Sequence, residues 1–170
     1  MRSVPLVLAC LCLLPASTLA EEVAWSDVFQ SEGIYSINFG VPNSDDVRFF
    51  MSCTKERTTV ELSWHADIDK PNGMKTGADG MRARLENQSV EIRFAGGDNV
   101  VKENVKAAFQ PEEMSGGIFV DFFVPKTAAI LQKFRSNSDA ALIISGAKPQ
   151  ELDLKGADVA IDKLLKACGG

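Results

Sequence analysis

The sequence predicts a mainly β fold of the α+β kind. We expect an antiparallel β-sandwich of about nine short strands, with one short helix and a C-terminal helix, tied by one disulfide. Three observations carry this. Short runs of period-two alternation recur between turn residues through most of the chain. One stretch near the C-terminus, Ala157 to Cys168, repeats instead at helical spacing. Two cysteines, Cys53 and Cys168, stand near opposite ends of residues 21–170.

Residues 1–20 read as a secretory signal peptide. Arg2 supplies the positive start, Val4 to Leu14 is almost wholly apolar, and small residues precede Glu21 at Thr18 and Ala20. The apolar run is short for a bilayer span, and no later stretch is long and apolar enough for one. A rival reading makes Cys10 the acylated residue of a lipoprotein signal; Val7-Leu8-Ala9-Cys10 matches such a signal only in part, with few apolar residues before it. Residues 21–170 then form one exported, β-rich domain in the periplasm or outside the cell. The formal net charge is −5, and losing Arg2 with the leader makes the remainder more acidic by one unit. With Lys and Arg scattered singly, this balance argues against nucleic acid or anionic lipid as a partner.

Along the chain, Gly33 to Phe39 alternates before the turn Gly40-Val41-Pro42-Asn43-Ser44. Val47, Phe49, Met51 and Cys53 share one face of the next run, and Val60, Leu62 and Trp64 share one face of Thr58 to Ala66. These two runs form a hairpin. After a Gly- and Pro-bearing loop, Asp67 to Gly80, the segments Met81-Ala83-Leu85 and Val90-Ile92-Phe94 suggest a second hairpin around Asn87-Gln88. Val100 to Phe109 is a weaker strand. Ile118 to Val124 is apolar on both faces, as a central strand is. Ala140 to Ser145 and Leu152 to Leu154 complete the set.

Pro125 ends a strand and Thr127 to Phe134 reads as a short helix, with Ile130, Leu131 and Phe134 inward. Ala157, Ile161, Leu164, Leu165 and Cys168 make one stripe of the last helix, with Asp153 or Asp158 to cap or charge its first turn. Cysteines in an exported chain pair, and Cys53 and Cys168 both point at the core. Closing a loop from residue 53 to residue 168 is worth on the order of 4–5 kcal/mol in the chain-entropy picture.

The search for chemistry finds no signature. His65 is the sole histidine and lies beside Glu61 and Ser63 on the face away from Val60 and Leu62; a surface histidine is the plain reading. One histidine and a bridged cysteine pair leave zinc or copper without ligands. Asp67-Ile68-Asp69-Lys70-Pro71-Asn72-Gly73 resembles a calcium loop only superficially, because its glycine is one place late and Ala78 stands where a glutamate belongs. Ser52-Cys53-Thr54-Lys55 spells S-x-x-K in a strand, where that nucleophile would open a helix. Asp45-Asp46 and Glu112-Glu113 are neighbours whose carboxylates diverge in extended chain. We therefore expect no enzyme and no cofactor or metal.

What remains is surface. Phe50, Phe119 and Phe123 sit opposite the apolar faces of their strands. Either a second sandwich layer buries them or they form an exposed aromatic patch suited to binding protein. Asp67, Asp69 and Asn72, in the long loop, are the other candidate contacts.

Leu152-Asp153-Leu154-Lys155-Gly156-Ala157-Asp158-Val159-Ala160-Ile161-Asp162-Lys163-Leu164-Leu165 resembles the closing strand-to-helix element of two groups of bacterial periplasmic proteins, the invasion-associated locus B family and the type VI secretion accessory proteins. The resemblance covers the C-terminal third. It implies a non-enzymatic β-sandwich of the Gram-negative envelope that works by contact with another protein, accessory to an envelope or secretion assembly. Three further readings stay open: an inhibitor or immunity protein of a cell-wall-degrading enzyme, a hydrolase with an unfamiliar site that depends on His65, and a β-shell that encloses a small ligand.

Overall fold

The computed structural model describes residues 22–68, 84–112 and 117–169. Residues 1–20, expected to be a leader, most of the Asp67 to Gly80 loop and the segment 81–83 lie outside them. Within them come the short edge strands β1 (Ala24–Trp25) and β2 (Phe29–Ser31), then β3 (Ile34–Gly40), β4 (Val47–Cys53) and β5 (Thr59–Ala66), whose apolar residues turn one face inward. Further on come β6 (Leu85–Gly96), β7 (Asn99–Pro111), β8 (Ile118–Pro125), β9 (Asp139–Ile143) and β10 (Gln150–Asp153). Helix α1 (Ala129–Ser136) follows β8, and α2 (Ala157–Ala167) closes the chain.

All the strands join one antiparallel sheet, ordered β1-β3-β4-β5-β8-β7-β6-β9-β10, with β2 also on the free side of β3. The sheet curls into a half-barrel. The expected sandwich is corrected by this: among the described residues no second sheet covers the first. The chain's own helices do so, contributing Ile130, Leu131 and Phe134 from α1 and Ala157, Ala160, Ile161 and Leu164 from α2 to a single core cluster. Alternation shows that one face of each strand is buried. It does not show what buries it.

Phe134 explains how the curl is held. Its ring stacks on Phe49 of β4 at 5.3 Å, meets Phe94 of β6 edge-on at 4.9 Å, and lies 6.4 Å from Trp64 of β5. One fully buried ring thus touches strands from both wings of the sheet. Truncating it to alanine would cost about 3–5 kcal/mol. Helix α2 packs on β3 and β4, and there Cys168 is joined to Cys53, with Cα atoms 6.1 Å apart. Lys126 locks the same corner by donating to the carbonyls of Thr54 (3.0 Å) and Cys168 (2.6 Å). On the far side of α2, Lys163 donates to Asp27 at 2.7 Å, and that hydrogen bond, with the ammonium charge, holds the Asp27 carboxyl below its ordinary value.

Most expected elements form where periodicity placed them: the β4–β5 hairpin, a central β8 between β5 and β7, and both helices. Two details differ. Asn87-Gln88 is no hairpin turn, because β6 runs straight through it and pairs with β7 around Gly97-Asp98. Asn87, at φ 59°, instead supplies the extra residue of a bulge, two steps of β7 facing three of β6. Nor does an aspartate cap α2. Gly156, in the left-handed conformation at φ 84°, makes the turn, while Asp153 Oδ1 accepts from the Lys155 amide (2.8 Å) and Asp158 only charges the first turn.

Candidate functional site

The pleat that sends Phe49, Met51, Leu62, Trp64, Val120 and Phe122 into the core must send their neighbours outward. Register then decides which of those neighbours meet. Phe50 stands opposite Ser63, Ser63 opposite Asp121, His65 opposite Phe119 and Glu61 opposite Phe123. Phe50, Phe119 and Phe123 are thereby grouped on the outer face around the Ser63–Asp121 pair.

That pair is the polar centre of the face. Ser63 Oγ donates to Asp121 Oδ1 at 2.6 Å, and Arg84 Nη1 lies 3.4 Å from Asp121 Oδ2. Arg84 is held in turn by Gln110 Oε1 (3.4 Å) and by Glu86 (2.8 Å). Asp121 is only 6% exposed, so its charge rests on these partners rather than on water. The rings around it are graded in exposure. Phe50 and Phe119 are half-buried, Phe119 against His65 with centroids 5.4 Å apart, while Phe123 is 52% exposed. Ile34, 44% exposed, lies beyond Phe123 across a small hollow floored by Ser52, Thr59 and Glu61. Apolar rings around a fixed, buried hydrogen-bonding node form a surface able to bind protein.

A second concavity opens where the two ends of the half-barrel approach each other. Val23, Phe39 and Arg48 form one wall of a cleft of about 670 Å³; Arg93, Asp139, Glu151, Leu152 and Asp153 form the other. It continues, through Arg48 and Glu151, into a smaller recess that includes His65 and Asp67.

The residues singled out in the sequence are thus divided. Cys53 and Cys168 are bonded. Phe50, Phe119 and Phe123 share one face, and no second layer among the described residues covers them. Asp67 is apart from them, exposed at the end of β5, with its amide donating to Gln150 Oε1 at 3.2 Å. Asp69 and Asn72 lie outside the described residues. Among those described, no group of His, Cys, Asp and Glu is arranged to hold a metal ion.

Sequence reasoning passed over Asp121 and Arg84. One signal was present: a lone carboxylate inside the apolar run Ile118 to Val124 requires a partner when the strand is buried. The cleft residues gave no signal, because they come from four distant segments. Compared with family models, curated proteins and solved structures, the chain finds no match in any of the three.

Proposed function

We propose that this chain is an exported, non-enzymatic protein-interaction module of the periplasm or cell exterior, accessory to an envelope or secretion assembly, and that it binds its partner through the outer face of β4, β5 and β8. The observation that carries the reading is the grouping of Phe50, Phe119 and Phe123 around the buried Asp121. An exposed aromatic ring on a rigid sheet offers large apolar area at little entropic cost, which is how binding hot spots are built. The leader and the Cys53–Cys168 bridge suit an oxidising compartment. The closing strand–helix resemblance supports an envelope setting.

The test is capture from a cell-envelope extract by the immobilised, oxidised chain and by its Phe123→Ser variant. Phe123 is exposed, so the variant should melt as the parent does. The reading expects an envelope or secretion component held by the parent and lost by the variant. Equal capture by both would remove the outer face from the argument. Recovery of a wall-degrading enzyme, silenced in stoichiometric mixing, would replace an accessory role with inhibition.

A further inference from the structure

A curled sheet that stops short of closure leaves an open strand at each end, and here the last strand is β10, whose sole strand partner among the described residues is β9. The Leu154 amide donates to the Ser138 carbonyl at 2.9 Å. This fixes the phase of the ladder, because bonded and non-bonded pairs alternate in antiparallel sheet. Leu152 and Gln150 therefore exchange bonds with Ala140 and Leu142, and the N–H and C=O of Glu151 and Asp153 point away from β9. Among the described residues, no hydrogen bond takes up those main-chain groups. Both residues line the 670 Å³ cleft, across from Val23, Phe39 and Arg48.

The charges of the cleft indicate what fits. Arg48 and Arg93 are already engaged, by Asp46 at 3.4 Å and Glu91 at 2.5 Å. Glu151, Asp153 and Asp139, the last directly opposite Asp153, are exposed and form no ion pair among the described residues. Among the described residues, the Asp139 carboxylate accepts only from the Ser138 hydroxyl, and that of Asp153 only from the Lys155 amide. Such an edge repels its own copy, since pairing β10 with β10 would bring carboxylates together. It suits a chain of the opposite charge.

We propose that the open edge of β10 takes up an extended, cationic peptide segment of another protein as an added strand. Main-chain bonds to Glu151 and Asp153 hold the segment, and its lysine or arginine side chains face Asp139, Glu151 and Asp153. At about 3.3 Å per residue, an edge of this length accommodates a segment of roughly five residues. This surface is separate from the outer aromatic face and stands or falls independently of it.

The probe is a labelled, end-capped hexapeptide of alternating lysine and valine, with a glutamate-for-lysine peptide as its control, titrated at low salt against the oxidised chain and followed by fluorescence anisotropy and amide hydrogen exchange. The lysine peptide binds saturably, the glutamate peptide does not, and exchange at the Glu151 and Asp153 amides slows by about tenfold or more. Glu151→Pro removes an outward N–H while sparing the β9 ladder, and weakens binding by about tenfold or more. If that variant misfolds by circular dichroism, protection of the two amides in the parent decides alone. Failure to bind, equal binding of both peptides, unchanged exchange at Glu151 and Asp153, or undiminished binding by folded Glu151→Pro would overturn the proposal. So would a dimer of the peptide-free chain that Glu151→Pro abolishes, because the edge would then belong to a second copy.

Discussion

Asp121 interrupts an apolar run and ends up buried on the outer face, with Ser63 and Arg84 as its partners. A buried carboxylate that loses a donor keeps its desolvation cost without the compensation. Ser63→Ala should therefore destabilise the fold by about 1.5–3 kcal/mol in urea unfolding, far more than a surface serine would. A change too small to measure would show the pair to be incidental. The outward placement of Phe50, Phe119 and Phe123 was legible from strand parity alone, because alternation is a local property. Their grouping was not legible, since it depends on a register that joins residue 50 to 63 and 63 to 121.

At the scale of elements, α2 is the part most plainly written in the chain. Its stripe of Ala157, Ile161, Leu164 and Cys168 is buried throughout, and only Leu165 at its margin is half-buried. Leu164→Asp places a charge at a fully buried position of that stripe, so α2 should leave the core and the chain should lose its cooperative melting transition. Parent-like melting of this variant would contradict the packing described. Strand runs were equally legible where apolar residues alternate, as in β4 and β5. The reading failed at Asn87, where one turn-prone residue serves a bulge as readily as a hairpin, and only the partner strand decides. It failed again at the sandwich, because one-sided burial is the same signal whether a second sheet or a pair of helices provides the cover.

For the molecule as a whole, the Cys53–Cys168 bond ties an early strand to the last helix across a sequence separation of 115 residues. Losing it frees both the unfolded chain and the corner locked by Lys126. Reduction should lower the melting temperature by roughly 10 °C, from about 2–5 kcal/mol at 2–4 °C for each. An unchanged melting temperature would deny the bond a structural role. The cleft between the ends of the half-barrel belongs to this scale too, which is why no local pattern announced Glu151 or Asp153.

The proposed binding role is tested most directly by hydroxyl-radical footprinting of the oxidised chain, alone and in a cell-envelope extract, with labelling read residue by residue. Phe123 and Val159, 52% and 55% exposed, should both be labelled in buffer. In the extract, labelling should fall at Phe123 and Phe119 and stay constant at Val159, which lies on α2, the helix packed against the opposite face of the sheet. Unchanged labelling at Phe123, in an extract from which the chain captures a partner, would contradict binding through this face.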